Sequence, residues 1–468
     1  MTRRTQLLVL ACAAVLALLA LPAAAQEAPQ EGGQIFLPLV EGAPLAPNRL
    51  GVDLRAHIGP DVIPYVEDLA PRWARAGDLL WSDIEPVRGA GYRWEAAAAL
   101  EANIARIRAA GAEPLVIVQR SPDWAQQVPG RACNPPSPEA LPDLARFVSA
   151  AAERYGGGPL QVHYWQLGNE VDFRPDQIPD ALGSGCWGTS AAPHFGGDSY
   201  GAALKQVYPA LKAANPRATL LAGGLAHFWP DDTQTRGFLR GMLAAGAGQS
   251  FDALSFSAYG MYQAADRLVY KTNSLRRGLA EFGLERKAMI AAEVGAVCYM
   301  NNQCDPLYPQ YHANYAARIY AEAVALDLHG AMWYTLASAD PGFQHSHLIL
   351  DTFGQLTPRP AFYALRNSAR LLREAVAAGP PPAELDESQA EEVQTLAFAK
   401  RGATLLVLWL PRTDAVRQHT LVVSPRARAA CTSRLDQSVP QVDDCSDLDG
   451  NGRITLTVGG APLYVEIR

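Results

Sequence analysis

The feature that most constrains the fold is a regular alternation of short apolar segments with longer segments of helical period between residues 50 and 377. In the longer segments apolar residues recur every three or four positions, as at Tyr200, Leu204, Val207 and Leu211. Strands that alternate with helices form parallel sheets, and eight such units close into a (β/α)8 TIM barrel. We therefore predict a barrel over residues 49–378, with strands near Leu50–Leu54, Trp73–Trp81, Pro114–Gln119, Gln161–Leu167, Thr219–Gly223, Ala253–Ser257, Ala288–Glu293 and Ala331–Leu336.

The pattern changes at Gly379-Pro-Pro-Pro382, which breaks the last helix and predicts a linker over residues 379–384. Short alternating or β-branched segments follow, without a helical segment between them. They predict a small antiparallel, β-sandwich-like domain over residues 385–468. Within it, Asp447–Gly452 partly resembles a calcium loop of the EF-hand type, but Val458 stands where that loop needs a glutamate. A turn between two strands is the favoured interpretation.

The N-terminus has the pattern of a secretory signal peptide over residues 1–25. Arg3 and Arg4 precede an apolar run from Leu7 to Leu21, and small residues follow as far as Ala25. An uncleaved membrane anchor is the alternative, but the run is short for a membrane span. Residues 26–48, rich in proline and glycine, predict a linker. We expect a secreted protein without stable membrane insertion after signal cleavage.

Charge and cysteine content narrow the possible partners. A formal net charge of −7 gives no electrostatic reason to bind nucleic acid. Six cysteines follow the signal peptide, an even number that indicates disulfides in an exported chain. Cysteines that are close in sequence are expected to pair, namely Cys298 with Cys304 and Cys431 with Cys445. The two that remain, Cys133 and Cys186, would then pair with each other. No CxxC spacing is present, and we expect neither a metal nor a cofactor.

Two apolar segments end in a carboxylic acid. The fourth is followed by Asn169-Glu170, and the seventh ends at Glu293. Barrel enzymes place catalytic groups at this end of their strands. Retaining glycosidases use two carboxyl groups about 5–5.5 Å apart, one to protonate the leaving oxygen and one to attack the anomeric carbon. We therefore predict that Glu170 and Glu293 form such a pair, with Asn169 binding a sugar hydroxyl; ordinary ion pairs at the barrel end are the alternative.

Aromatic residues near strand ends are candidates for stacking on a sugar ring. Trp124 and Trp333 are the two that we expect in the cleft, and core packing is the alternative for each.

Several motifs resemble those of clan A glycoside hydrolases. Trp165-Gln-Leu-Gly-Asn-Glu170 resembles the acid/base motif of the clan, and Ala292-Glu293 resembles its nucleophile. Two further segments, Trp81–Pro86 and Asp252–Tyr259, are similar to the second and sixth strands of the clan. Three others look most like glycoside hydrolase family 39: Ser121–Trp124, Tyr208–Pro216 and Leu221–Gly224. The resemblance covers residues 50–377.

The resemblance implies a role for each matching residue. Glu170 would be the acid/base, Glu293 the nucleophile and Asn169 the partner of the sugar 2-hydroxyl. Tyr259 would orient the nucleophile, Trp333 would form an aromatic floor, and Arg75 would be the cation near the nucleophile, although it lies one residue farther from Trp81 than expected. Ser257 stands where many members have histidine. The resemblance thus implies a retaining hydrolase acting on a carbohydrate; a binding barrel without turnover and a transglycosylase are the alternatives.

Overall fold

The computed structural model describes residues 48–131, 133, 135–177, 185–226, 232–261, 267–298, 304–339, 345–382, 384, 392–411 and 414–468. The predicted signal peptide and all but the last residue of the 26–48 linker lie outside the described residues.

Eight parallel strands close into a barrel in sequential order, and the first strand pairs with the last. This confirms the predicted (β/α)8 architecture. The strands are β1 (Leu50–Asp53), β2 (Trp73–Leu80), β3 (Glu113–Gln119), β4 (Tyr164–Leu167), β5 (Thr219–Leu225), β6 (Ala253–Met261), β7 (Ala288–Val297) and β8 (Gly330–Trp333). Glu293 does not end β7 as predicted, because β6 and β7 continue as a paired ribbon beyond the neighbouring strands.

Helices cover the outside of the barrel and bury apolar side chains in the layer between helices and strands. In α5 (Gly197–Ala214), the predicted stripe of Tyr200, Leu204, Val207 and Leu211 is fully buried. The last helix ends at Leu371 and does not reach the break at Gly379 that the sequence indicated, because the residues that follow enter the C-terminal sheet. The helices are α1 (Ile63–Leu69), α2 (Trp81–Ile84), α3 (Ala98–Ala109), α4 (Leu141–Arg154), α5 (Gly197–Ala214), α6 (Thr233–Ala244), α7 (Arg267–Ala280), α8 (Tyr308–Ala325) and α9 (Pro360–Leu371).

Strand alternation separates an inner from an outer apolar layer. The inner layer fills the barrel with Trp73, Leu115, Ile117, Leu221, Ala253, Ile290, Ala292 and Met332. The outer layer lies between the strands and the helices. Farther toward the carboxyl ends of the strands, the inward positions are polar, and they include Asp53 on β1 and Arg75 on β2. The interior of the barrel is thus apolar, and charged side chains line the opening at the carboxyl ends of the strands, which we call the mouth.

Two β-bulges change which side chains face that mouth. In β2 the register with β3 shifts between Arg75 and Gly77, so Ala76 is the extra residue. In β7 the register with β6 shifts so that Ala292 is the extra residue before Glu293. A bulge places two residues opposite one and re-aims the following side chain. Consequently Ala292 and Glu293 both face inward, whereas Val294 packs in the outer layer.

The C-terminal region is antiparallel, as predicted. It consists of a six-stranded sheet and a separate two-stranded ribbon. Earlier in the chain, β9 (Ala337–Ala339), β10 (Ile349–Thr352) and β11 (Gln355–Pro358) form a small sheet after β8. The strands of the larger sheet and ribbon are β12 (Val376–Ala377), β13 (Gln394–Lys400), β14 (Ala403–Trp409), β15 (Val416–Val422), β16 (Ala429–Ser433), β17 (Gln441–Asp444), β18 (Arg453–Gly459) and β19 (Leu463–Ile467). The order in the sheet is β12-β13-β14-β19-β16-β17, and β15 pairs with β18 in the ribbon.

Hydrogen bonds fasten this sheet to the barrel helices. The hydroxyl of Tyr464 donates to the carbonyl of Ala317 on α8 at 2.7 Å, and the amide of Asn367 on α9 donates to the carbonyl of Leu435 at 2.8 Å. The Asp447 carboxylate accepts from the backbone N–H groups of Arg426, Gly450 and Gly452. These bonds close the loop between β17 and β18 as a turn.

The three expected disulfides are present: Cys133–Cys186, Cys298–Cys304 and Cys431–Cys445. Among the described helices, none has the length and apolar character needed to cross a bilayer.

Candidate active site

A tight turn after β4 carries the first of the two glutamates. Gly168 has φ 72° and Glu170 has φ 47°, both in the left-handed region. A side chain at Gly168 would collide with Val171, and one at Gly224 on β5 would approach the Glu170 backbone nitrogen to 3.2 Å. Glycine at these positions therefore lets the chain reverse directly above the barrel. A left-handed glutamate is a costly conformation that is concentrated at functional sites.

The segment tied down by the Cys133–Cys186 disulfide supports this turn from outside. The backbone N–H of Gly185 donates to the carbonyl of Asn169 at 3.2 Å, and that of Cys186 donates to the carbonyl of Phe173 at 2.8 Å. The disulfide thus fixes the chain that braces the turn, across 53 residues of sequence.

Three side chains bind the carboxylate of Glu293: Arg75 of β2, Tyr259 of β6 and Arg55, which lies in the turn after β1. Arg75 and Arg55 both donate to Oε1, Arg55 at 2.7 Å, and the hydroxyl of Tyr259 donates to Oε2 at 2.6 Å. Glu293 is only 4 % exposed and Arg75 is fully buried. Two cations and a hydroxyl donor on one buried carboxylate hold it ionised and in a single orientation.

Arg75 also links the two halves of the site. Its Nη1 donates to Asp53 at 3.2 Å, and its Nη2 donates to the amide oxygen of Asn169 at 2.9 Å. Gln166 donates to the same oxygen at 3.3 Å. Because the amide oxygen of Asn169 is occupied in this way, its NH2 group is the part left to donate to a ligand.

The two glutamates have opposite electrostatic environments. Burial raises the pKa of Glu170 to about 8, and repulsion by Glu293 adds to the effect. Burial alone would raise the pKa of Glu293 as well, but Arg75 and Arg55 outweigh it and lower that pKa to about 2. At neutral pH the site therefore holds one protonated and one ionised carboxyl group, which is the division of labour that acid and nucleophile require.

The aromatic residues expected at the site are placed differently. Trp333 is 1 % exposed, donates its indole N–H to the carbonyl of Ser346 at 2.8 Å and packs on Tyr315 of α8. It therefore faces the outer layer, where no substrate reaches it. Because strand side chains alternate, the next residue, Tyr334, faces the mouth, with its ring 5.6 Å from the Arg55 guanidinium carbon and 6.2 Å from the Tyr259 ring.

Trp124 lies in the loop after β3 and is partly buried. Its indole N–H donates to the carbonyl of Glu85 at 3.0 Å, and its ring packs edge-on against Trp81 at 5.3 Å. These contacts are with the loop after β2 and not with the glutamates.

The structure thus brings together five of the predicted residues, namely Glu170, Glu293, Asn169, Arg75 and Tyr259. The sequence interpretation missed Asp53, Arg55 and Tyr334. Asp53 and Arg55 end the first apolar segment with charged residues, the same signal that identified Asn169-Glu170, so they could have been found. Tyr334 could not be distinguished from Trp333 without the strand register.

One group in the described part of the chain has potential metal-ligand atoms close together: Cys298, Cys304 and His345, within 4.8 Å. Its two sulfurs are joined in a disulfide and offer no thiolate. The residues therefore do not fit a metal site in this oxidation state.

Comparisons with known proteins place the fold. No family model and no curated protein matches the chain. Among solved structures, a family 39 glycoside hydrolase from the gut symbiont Bacteroides cellulosilyticus WH2 is 18 % identical with a TM-score of 0.61, over 90 % of this chain and 81 % of that one. The catalytic domain of the family 30 xylanase C from Talaromyces cellulolyticus is 12 % identical with a TM-score of 0.59, over 90 % and 96 %. An alpha-L-arabinofuranosidase from Thermotoga maritima is 13 % identical with a TM-score of 0.57, over 91 % and 97 %. At these identities the likeness establishes the fold.

Proposed function

We propose that the protein is a secreted, retaining glycoside hydrolase that cleaves an oligosaccharide or polysaccharide by double displacement. The observation that carries the proposal is the opposed charge state of two glutamates in one barrel mouth. Glu293 is ionised by Arg75 and Arg55, while burial and the charge of Glu293 keep Glu170 protonated. Carboxyl groups in these two states are what the first step of a retaining mechanism consumes.

In that step, Glu293 attacks the anomeric carbon as the bond from that carbon to the leaving oxygen breaks. Glu170 transfers its proton to the leaving oxygen, so the alcohol departs neutral and a glycosyl ester remains on Glu293. Loss of negative charge from Glu293 removes the repulsion that adds to the effect of burial, so the pKa of Glu170 falls. Glu170, now ionised, can then act as a base in the second step.

The second step reverses the first with water as the nucleophile. Glu170 takes a proton from water, the oxygen attacks the anomeric carbon, and the ester bond to Glu293 breaks with release of a sugar of retained configuration. The NH2 group of Asn169, whose oxygen is held by Arg75, is the donor that we assign to the sugar 2-hydroxyl. Hydrogen bonds at that hydroxyl strengthen in the transition state.

Further support comes from fold and cysteine chemistry. The chain shares its fold with glycoside hydrolases of families 39 and 30 and with an arabinofuranosidase. The sequence motifs favour family 39 among these. Three disulfides are typical of an exported protein and support secretion. A binding barrel without turnover would have no need to hold two carboxyl groups in opposite protonation states.

Substitution of each glutamate tests the proposal. Glu293→Gln is expected to abolish hydrolysis of every aryl glycoside that the wild type cleaves. Glu170→Gln is expected to be slow, and added azide should restore turnover of an activated aryl glycoside, because azide needs no general base. Glu281→Gln is the matched control, since this exposed glutamate pairs with Arg236 outside the site. Near-wild-type rates for Glu293→Gln on a natural glycan would contradict the assignment.

A further inference from the structure

Two polar side chains in the mouth have no part in the mechanism described above. Asp78 follows the β2 bulge, which turns it inward between the Arg75 and Leu80 positions. Gln119 is the last residue of β3 and shares its inward face with Leu115 and Ile117. The amide nitrogen of Gln119 donates to Oδ2 of Asp78 at 2.7 Å.

This bond determines what the pair presents to a ligand. A carboxylate only accepts hydrogen bonds, so the NH2 group of Gln119 must face Asp78 and its Oε1 must point away. Oε1 of Gln119 and Oδ1 of Asp78 are both buried, and neither has a hydrogen-bond partner among the described residues. Two inward acceptors without donors are costly unless a ligand supplies the donors.

The pair lies within a sugar ring's reach of the nucleophile. One guanidinium connects them: Nη2 of Arg55 is 2.7 Å from Glu293, and Nη1 is 3.9 Å from Asp78. A ring whose anomeric carbon meets Glu293 therefore has its other hydroxyls available to Asp78 and Gln119.

The net charge of the side chains around this position determines whether the sugar ring can carry a charged group. The carboxylates of Asp53, Asp78 and Glu293 face the two guanidiniums of Arg55 and Arg75, and both guanidiniums already bind carboxylates. The cluster has an excess negative charge even with Glu170 protonated. A carboxylate on the sugar would meet like charge and two acceptors, and desolvation would go uncompensated.

We propose that Asp78 and Gln119 select the sugar, accepting hydrogen bonds from two hydroxyls of a neutral ring and rejecting a ring that carries a carboxylate. The proposal rests on the function proposed above and narrows its substrate to neutral glycosides.

Paired aryl substrates test it. The 4-nitrophenyl glycosides of glucose, galactose, xylose and arabinose are compared with the 4-nitrophenyl uronides of glucose and galactose by kcat/KM. We expect the wild type to cleave its best neutral substrate at least about a hundredfold faster than any uronide. Asp78→Asn should lower neutral activity about tenfold and narrow the neutral-to-uronide ratio at least about tenfold, because it removes the repelling charge. Asp83→Asn removes the same charge from an exposed position on α2 and should leave the ratio unchanged.

The outcomes separate this proposal from the mechanism. A wild type that cleaves a uronide within tenfold of its best neutral substrate overturns the inference alone and leaves the glycosidase intact. A folded Asp78→Asn variant with an unchanged ratio also overturns it. The wild-type comparison decides even if that variant does not fold. If no glycoside of either kind or natural glycan is cleaved, the proposed function itself fails.

Discussion

Glu170→Gln should remove the alkaline limb of the pH–activity profile. In the wild type, the form with Glu170 protonated is active, so kcat/KM should be constant at neutral pH and fall above a pKa of about 8. Two pH units above that pKa only about one hundredth of the activity should remain, since each unit removes about a factor of ten. At the acid end, the ionised form of Glu293 is active, so its pKa of about 2 predicts no loss of activity until strongly acidic pH.

The wild-type limb is measured on an alkyl glycoside, whose leaving oxygen needs the proton of Glu170, and the variant is measured on a substrate that does not need it. A 2,4-dinitrophenyl glycoside has a leaving group that departs without a proton, so Glu170→Gln should retain measurable glycosylation on it. On a 4-nitrophenyl or alkyl glycoside the same variant should lose about 10²–10⁴-fold, the usual contribution of a general acid. Initial rates are measured from pH 4 to 10 in buffers of constant ionic strength.

The Glu170→Gln variant is needed because a second group, Lys271, titrates in the same pH range as Glu170. Lys271 is buried on α7, and burial lowers its pKa to about 8, so the wild-type curve alone does not identify the group that titrates. If Glu170 causes the limb, the Glu170→Gln profile stays flat from neutral pH to pH 10. A limb that survives in Glu170→Gln with the same midpoint would refute the assignment of the proton donor.

Four other substitutions have distinct expected results. Arg75→Met removes one of the two guanidiniums that bind the buried Asp53 and Glu293 carboxylates, and it should cost about 3–5 kcal/mol of stability, measured by urea denaturation, besides most activity. Tyr259→Phe removes one hydrogen bond to the buried Glu293 carboxylate, worth about 1.5–3 kcal/mol, and should lower stability by about that amount and kcat/KM about ten- to a hundredfold; an unchanged kcat/KM would contradict its contact. Trp333→Ala should cost about 3–5 kcal/mol of stability and leave KM unchanged, whereas Tyr334→Ala should raise KM with little loss of stability. A raised KM for Trp333→Ala with an unchanged KM for Tyr334→Ala would show instead that Trp333 contacts the substrate.

The barrel itself was predictable because its signal is repeated eight times. Hydrophobic period and the polar residues after each apolar segment identify both the strands and the end that carries function. Glu170 and Asn169 follow from this rule, since β4 ends at Leu167 and the chain turns at once. Asp53 and Arg55 obey the same rule at β1, a strand of the same length as β4.

The two β-bulges could not be predicted from local sequence patterns. The extra residue between Arg75 and Trp81 made the spacing look wrong for a cation at the nucleophile, and the bulge at Ala76 accounts for it. The bulge at Ala292 likewise lets Glu293 face inward next to another inward residue. An insertion of one residue reverses every later side chain of a strand, so a register derived by counting fails at such points.

The unknown strand register also explains why Trp333, and not Tyr334, was predicted to be the aromatic residue of the site. Two adjacent aromatics at the end of β8 point to opposite faces, and sequence alone favours the larger one as a sugar platform. Asp78 was invisible for a related reason, because strict alternation from Arg75 would have turned it outward.

The claim that Glu293 is the nucleophile of a double displacement has a direct test. The wild-type protein is incubated with an activated 2-deoxy-2-fluoro glycoside of the sugar that the aryl panel identifies, which slows hydrolysis of a glycosyl ester. Mass spectrometry of the digested protein should locate one fluorosugar on the peptide that carries Glu293, and proton NMR should show the product forming first with the anomeric configuration of the substrate. A label on another carboxyl group, or product of inverted configuration, would contradict the mechanism.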